Sequence, residues 1–472
     1  MLHKISYTID DGFIERTIVL GEIKSSSRLL LPDGVSIGSD VNPAKIWQQS
    51  ILKGQQPELV GKGRAAPRPL AIADLFCGCG GFTQGVSDAA RALSFDPHVV
   101  FSADIDREAL SVYRKNFMPD DWYEGSVSDL VDFQWTVNAQ GAKFKYPPAL
   151  LTPELKEVVG KLDILVAGPP CQGHSNLNNH TRRDDPRNML YLTVPAIAVA
   201  TKAKCVIVEN VPEVVNDSRS VVSLALDLFR NHGYRVASRT ITAVDFGAAQ
   251  TRRRHIVVAV RADIGIQPWF EVLDNFKSAP MSLMDVIDDL DTASSESVFD
   301  AVAGLSEENR MRIDYLFDND LYELPDAVRP DCHKNGHTYR SVYGRLKWDS
   351  PSPTITTGFL TPGRGRYIHP RQRRTLTPHE AARIQAFPDS FDFLSVEGND
   401  LTKKTLTKLI GQAVPPPLGH AAALVALGAT FGNVVPESSI TIGAEHQESS
   451  YLEEEVCNLD IEDEDESLEE AA

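Results

Sequence analysis

Cys171 stands directly after Gly168-Pro169-Pro170, where the apolar run DILVA ends and a polar, Asn-rich loop begins. An ionised thiol is a strong nucleophile, so a cysteine with rigid flanks at the C-terminal edge of a strand is a candidate for covalent catalysis. The alternative is a buried filler, the usual fate of a lone cysteine. A second apolar run, CVIVEN, ends in Glu209 and Asn210, and a carboxyl group there can donate a proton beside a thiolate. Gln250, Arg252 and Arg254 alternate on entering the run HIVVAV, which turns them to one face, either solvated or set against the core strand. The loop 172–190 carries Asn178, Asn179, His180, Arg182, Arg183 and Arg187, able to close over a polyanion or to remain an ordinary solvated loop.

A second chemistry is written into LAIADLFCGCGGFTQG. This is a strand running into a glycine-rich turn and then a helix, where Gly78, Gly80 and Gly81 let a ligand approach the backbone. The spacing departs from the dinucleotide pattern that sets pyrophosphate on a helix N-terminus, so a merely tight turn is the competing reading. The next run, VVFSADID, ends in Asp104, placed either to accept hydrogen bonds from ribose hydroxyls or to cap the following helix. Taken together, turn and carboxylate favour an adenosine-containing ligand.

These groups need a scaffold that collects strand ends. LAIADLF, VVFSAD, DILVAG, CVIVEN and HIVVAV alternate with amphipathic stretches such as DREALSVYRKNF, the pattern of a doubly wound, mostly parallel α/β sheet. Residues 67–261 are expected to form this catalytic and cofactor-binding domain. Before it, residues 1–66 hold ISYTIDDGFIERTIVL, two strands with an Asp-Asp-Gly turn, and a linker. Residues 262–345 lose the rhythm and suggest a smaller, irregular domain. Residues 346–435 return to the first domain, and 436–472 form an acidic tail too poor in apolar residues to order itself.

The net charge of −18 comes mostly from that tail, whose eleven Glu and three Asp meet no Lys or Arg and leave the rest at −4. Any binding of a polyanion therefore needs a local basic patch. Six scattered cysteines, no long apolar run and no signal-peptide pattern point to a soluble, cytoplasmic protein without a membrane segment. Cys332, His333 and His337 are too loosely spaced for a zinc site, so no metal is expected.

The blocks FCGCGG, PPCQ, ENV, QTRRR, RRTLTPHEAARIQAFPD and IGQAVPPPL occur in this order. Together they closely resemble the DNA cytosine-5 methyltransferases, from about residue 70 to 425. The resemblance implies a Rossmann-like methyltransferase domain with a target-recognition domain at 262–345, and S-adenosyl-L-methionine as methyl donor. It places the donor against Phe76, Gly78, Gly80, Gly81, Asp104 and Ile105, with Ser126, Leu190, Gln412, Ala413 and Val414 completing the pocket. It assigns to Cys171 attack on carbon 6 of a cytosine flipped from double-stranded DNA, and to Glu209 a hydrogen bond to ring nitrogen 3. Arg254 would hold the base O2, Arg252 would support the intermediate and the loop, and Gln172 would help fill the space left by the base.

Three positions depart from the family: Ser126 stands where an Asp usually receives the adenine amino group, His379 replaces a common Arg, and Gln412 a common Asn. Thr377-Pro378-His379-Glu380 is a capping box opening a scaffolding helix. Arg340, Arg345, Lys347, Arg364, Arg366, Arg371 and Arg373 are candidate phosphate contacts. A monomer acting in a restriction-modification system, with a cognate endonuclease as a possible partner, is the family expectation. The alternatives are a tRNA methyltransferase, whose usual Cys-Phe-Thr tripeptide is absent, and a silent DNA-binding regulator, against which the intact Cys171, Glu209 and Arg254 argue.

Overall fold

The computed structural model describes residues 3–32, 42–60, 66–170, 186–217, 219–290, 297–334, 341–394, 398 and 401–435. Cys171, Gln172, the loop to 185, Arg340 and the acidic tail lie outside the described residues.

Seven strands form the central sheet, in the spatial order Tyr234–Thr242, Arg253–Arg261, Cys205–Asn210, Ile164–Ala167, Arg68–Leu75, Phe95–Asp104, Asp121–Glu124. Neighbours pair in parallel except at Arg253–Arg261, which runs antiparallel to the strands on both sides. Every residue of Ile164–Ala167 and Cys205–Asn210 is buried, as expected of parallel strands covered on both faces. Alternate residues feed two different cores. Ile72, Val166, Ile207 and Val258 pack with the helices Gly81–Ala92, Arg107–Phe117 and Pro416–Phe431. Leu75, Leu165, Val208 and Val257 pack with Thr193–Thr201 and Val221–Asn231 on the opposite face. The result is the three-layer α/β architecture read from the strand pattern.

Strand order reverses between Arg68–Leu75 and Ile164–Ala167. The crevice beyond the carboxyl ends of these two strands is where an open α/β sheet takes its ligand. One tight helix crossing fixes the entrance. A Cβ at Gly85 would lie 1.8 Å from the carbonyl oxygen of Pro416, and one at Gly419 would lie 2.4 Å from that of Phe82. The apolar helix Pro416–Phe431 can therefore lie backbone against backbone on Gly81–Ala92.

The expected N-terminal hairpin is present. Lys4–Asp10 pairs with Phe13–Leu20 from Asp10 opposite Phe13, leaving Asp11 and Gly12 at φ +46° and +78°, a two-residue turn with both residues left-handed. Ile23–Leu30 and the short Glu58–Leu59 complete a four-stranded sheet, with the helix Pro43–Leu52 alongside. This unit is docked on the main body: Ile18, Leu20 and Leu52 enter the main core, Glu22 N donates to Gly432 O at 2.8 Å, and the Ser25 and Ser94 hydroxyls meet at 2.8 Å.

In the irregular region, Phe270, Leu273, Met281, Val286 and Ile287 join the main core. A separate small core gathers Ile313, Leu316, Leu324, Val342, Tyr343 and Ile368 around the helix Glu307–Asp318. The capping box forms as read: Glu380 N donates to Thr377 Oγ1 at 3.1 Å, and Thr377 N donates to Glu380 Oε2 at 2.8 Å. Glu380 also receives both ends of the Arg374 guanidinium at 2.7 Å, which gives the buried carboxylate its counter-charge. His379 hydrogen-bonds Asp300 at 2.8 Å and Asp389 at 3.0 Å, and so ties the irregular region to the returning segment.

Candidate active site

The strand Arg68–Leu75 ends at Phe76, which already has φ +58°, and Gly78 and Gly80 follow at +53° and +101°. Successive left-handed residues fold the chain back under the first turn of Gly81–Ala92. Gly80 is also required by space, since a Cβ there would lie 2.2 Å from the Phe117 ring. At Gly81 a Cβ would lie 2.4 Å from the carbonyl oxygen of Val414, so the glycine turn and the segment Gln412–Val414 meet although they lie far apart in sequence. Ala413 follows the helix Lys403–Gln412 as its C-cap.

Asp104 closes the other side of the turn. Its Oδ2 accepts from Gly78 N at 2.8 Å and its Oδ1 from Asp106 N at 2.7 Å. Burial raises its pKa, against the backbone donors that lower it. Asp106, not Asp104, caps the helix Arg107–Phe117, which removes the competing reading of Asp104 as that cap. Ile105 beside it is 75 % exposed, an apolar side chain left open at a sheet edge. Gly125 N donates to Asp104 O at 3.0 Å, bringing Ser126 to the same edge, where its hydroxyl is engaged at 2.7 Å by that of Ser128. Leu190 lies half-buried in the turn before Thr193–Thr201, and its carbonyl accepts from the Thr193 hydroxyl at 2.7 Å.

Glu209 comes up beside this cradle. A Cβ on Gly168 would lie 3.6 Å from Glu209 Oε2 and 3.8 Å from the Phe76 carbonyl oxygen, so the carboxylate and the glycine turn share the switch point. Arg254 Nε meets Glu209 Oε1 at 2.6 Å. The strand register explains the contact: Glu209 pairs with Ile256, which places Arg254 diagonally across on the same face. Burial raises the Glu209 pKa and outweighs the lowering by Arg254 and Arg252. The carboxyl is thereby disposed to carry a proton, as a donor to a substrate nitrogen must.

Arg252 is buried and donates to the carbonyls of Ile355 at 3.0 Å and Gly411 at 3.2 Å, locking the segment before Gln412 to the end of the strand. Gln250 works alongside it, donating to Gln385 at 2.9 Å and accepting from Ile355 N at 2.9 Å. These residues face the interior.

Two sets of residues escaped the sequence reading. Asn210 Nδ2 donates to Pro169 O at 3.1 Å and its Oδ1 accepts from Val211 N at 2.8 Å, anchoring the Gly-Pro-Pro segment that precedes Cys171 in the sequence. Beneath the glycine turn, the Tyr113 hydroxyl donates to Thr83 Oγ1 at 3.2 Å and the Thr83 hydroxyl donates to the buried Asp74. Burial pushes the Asp74 pKa up to about 8. The signal was one Asp inside the apolar run LAIADLF.

Four of the candidate phosphate contacts take acidic partners. Arg366 pairs with Glu323 at 2.8 Å, Arg345 with Asp320 at 3.3 Å, Arg371 with Asp288 at 3.2 Å, and Arg373 with Asp314 and Asp318 at 3.0 and 2.6 Å. These partners are acidic side chains of the irregular region.

A glycine cradle at the switch point, a carboxylate on the adjoining strand end and a buried acid opposite define a Rossmann-like methyltransferase. A solved structure of similar fold is a DNA modification methyltransferase encoded within an E. coli prophage, with TM-score 0.50, 21 % identity, and coverage of 76 % of this chain and 99 % of that one. Residues 70–425 match the family model of the C-5 cytosine-specific DNA methylases, and the chain belongs to that family. Among similar proteins, Type II methyltransferase M1.BsuMI of Bacillus subtilis is 41 % identical over 358 residues, covering 75 % of this chain and 79 % of the relative. Type II methylase M.HgiDII of Herpetosiphon aurantiacus is 30 % identical over 363 residues, covering 75 % and 94 %. The chain is thus a DNA (cytosine-5-)-methyltransferase, an enzyme that draws on a methyl donor.

Proposed function

We propose that the protein methylates carbon 5 of a cytosine flipped out of double-stranded DNA, through a covalent Cys171 adduct and with S-adenosyl-L-methionine as donor. The observation that carries the reading is the buried Glu209–Arg254 pair opening onto the glycine cradle at the switch point.

The residues present fit that donor. Asp104 keeps lone pairs free to accept from ribose hydroxyls while its backbone bonds hold it still. The exposed Ile105 offers an apolar surface for an adenine ring, and Gly78 leaves open space where a Cβ would project. Phe76, Gly80, Gly81, Ser126, Leu190 and the segment Gln412, Ala413, Val414 would complete the pocket. The donor supplies an activated methyl group.

In the proposed chemistry the Cys171 thiolate adds to carbon 6 while protonated Glu209 donates to ring nitrogen 3, so electron density accumulates at carbon 5. Carbon 5 takes the methyl group and gives its proton to water, the thiolate leaves as the carbon 5–carbon 6 double bond re-forms, and Glu209 takes back the proton from nitrogen 3. Arg254 holds Glu209 and the base O2, Arg252 supports the intermediate and the loop, and Gln172 helps fill the space left by the extruded base. The thiols of Cys77, Cys79 and Cys205 are unsuited to the nucleophile's role: all three are buried, and burial raises their pKa, to about 12 for Cys79 and Cys205.

By likeness to Type II enzymes, the target is a short motif in a restriction-modification setting, with a cognate endonuclease as possible partner and the monomer as acting form. The test is transfer of tritiated methyl to unmodified genomic DNA and to total tRNA, followed by bisulfite sequencing. Label in DNA at one cytosine-containing motif is expected; label in tRNA alone, or in neither, would overturn the reading.

A further inference from the structure

A cavity of about 440 Å³ lies away from the switch point, between the N-terminal sheet, the helix Pro43–Leu52 and the outer side of Gly81–Ala92. That size falls within the range of small-molecule sites, about 300 to 1,000 Å³. Its walls are largely apolar and aromatic, with Trp47, Phe246, Phe276 and Met281 among them.

Into this space faces Arg16, only 9 % exposed. Its guanidinium sits over the Trp47 ring at 4.5 Å, and its Nε has no hydrogen-bond partner. The Ser278 hydroxyl, which lines the same cavity, is also buried without a partner. Of the neighbouring charges, Asp88 attracts the guanidinium from a distance while its oxygens accept from Gln84 at 3.0 and 3.1 Å and from Arg91 at 3.3 Å, and Lys45 pairs with Asp285 at 2.9 Å. The Tyr7 phenol is hydrogen-bonded to the guanidinium, but burial raises its pKa, so it supplies no negative charge at neutral pH; burial lowers the pKa of His420 to about 3 and keeps it from adding a second cation. Buried cations are ordinarily paired with an anion, because an uncompensated one forfeits its hydration. Here a guanidinium with no carboxylate in ion-pair contact and a hydroxyl without a partner front an apolar chamber.

We propose that this cavity binds a small amphipathic monocarboxylate, its carboxylate on Arg16 and Ser278 and its apolar body against Trp47, Phe246 and Phe276. The ligand completes the seam between the N-terminal sheet and the helix whose first turn forms the glycine cradle. It makes residues 1–66 a ligand-binding element of the enzyme, independent of which base is methylated.

Calorimetric titration of the full chain with 2-naphthoate, 4-phenylbutyrate and the uncharged 2-naphthamide tests the assignment. At least one carboxylate should bind one-to-one with Kd below about 1 mM, and 2-naphthamide about tenfold more weakly than 2-naphthoate, the difference of a charge-assisted hydrogen bond. Arg16→Met should erase the preference for the carboxylate, and Ser278→Leu, which grows into the cavity, should block binding while Arg16 stays in place. No carboxylate binding, equal binding of acid and amide, or binding unchanged in both variants would overturn the proposal.

Discussion

Arg254 Nε lies 2.6 Å from Glu209 Oε1, with both side chains only 9 % exposed, at the point where two strand ends and the glycine turn converge. A carboxyl in that position is pulled two ways, since burial favours its protonated form and the guanidinium its ionised one. Removing either partner therefore changes chemistry and stability together.

For Arg254→Met we expect a loss of about 3–5 kcal/mol in stability measured near pH 8, because a buried carboxylate loses the guanidinium in direct contact with it and keeps only the more distant Arg252. The loss should shrink at acid pH, where Glu209 protonates. Glu209→Gln should keep the fold but lower kcat by about 10²–10⁴, the range for a lost general acid. Urea melts at two pH values and single-turnover rates check both.

Asp104→Asn should weaken binding of S-adenosyl-L-methionine by roughly 10- to 100-fold, the equivalent of one or two hydrogen bonds to a charged group. Asp104 also holds Gly78 N, so the variant's melting temperature without ligand should be compared with that of the wild type. A loss of affinity at unchanged melting temperature identifies a direct contact.

Five of the seven strands were legible because each is a local apolar run, whereas the more polar edge strands Asp121–Glu124 and Tyr234–Thr242 were not; the turn at Asp11-Gly12 is fixed by two adjacent residues. That Gln250, Arg252 and Arg254 share one face was legible for the same reason, while its turning inward was settled only by the fold. Asn210 on Pro169, Arg374 on Glu380 and Asp74 under Thr83 were not, because each needs a partner whose position only the fold supplies. The ion pairs of the arginines read as candidate phosphate contacts were not legible for the same reason: the Asp and Glu they meet come from another stretch of chain.

Asp74 predicts a pH dependence. Its pKa is raised by burial to about 8 in the folded chain from an ordinary 3.8, so the folded state holds more protons between these values. Its contribution is fully present below pH 4 and is lost as pH rises through 8. His379 adds in the same direction over a higher window: burial lowers its pKa, but Asp389 and Asp300 win and raise it above 6.5. Melting temperature should fall from pH 6 to pH 9. Asp74→Asn should flatten much of that fall, because the amide oxygen it introduces still accepts from Thr83 but does not titrate.

The covalent step is open to direct capture. With fluorine in place of hydrogen at carbon 5 of the target cytosine, the methylated adduct has no proton to lose, and the thiolate cannot leave. Incubating the enzyme and S-adenosyl-L-methionine with DNA containing 5-fluorocytosine should give a complex that survives denaturing electrophoresis, with mass spectrometry placing the DNA on the Cys171 peptide and none formed by Cys171→Ser. Efficient methylation of ordinary DNA without any trapped complex on the fluorinated DNA, or trapping that persists in Cys171→Ser, would contradict the mechanism.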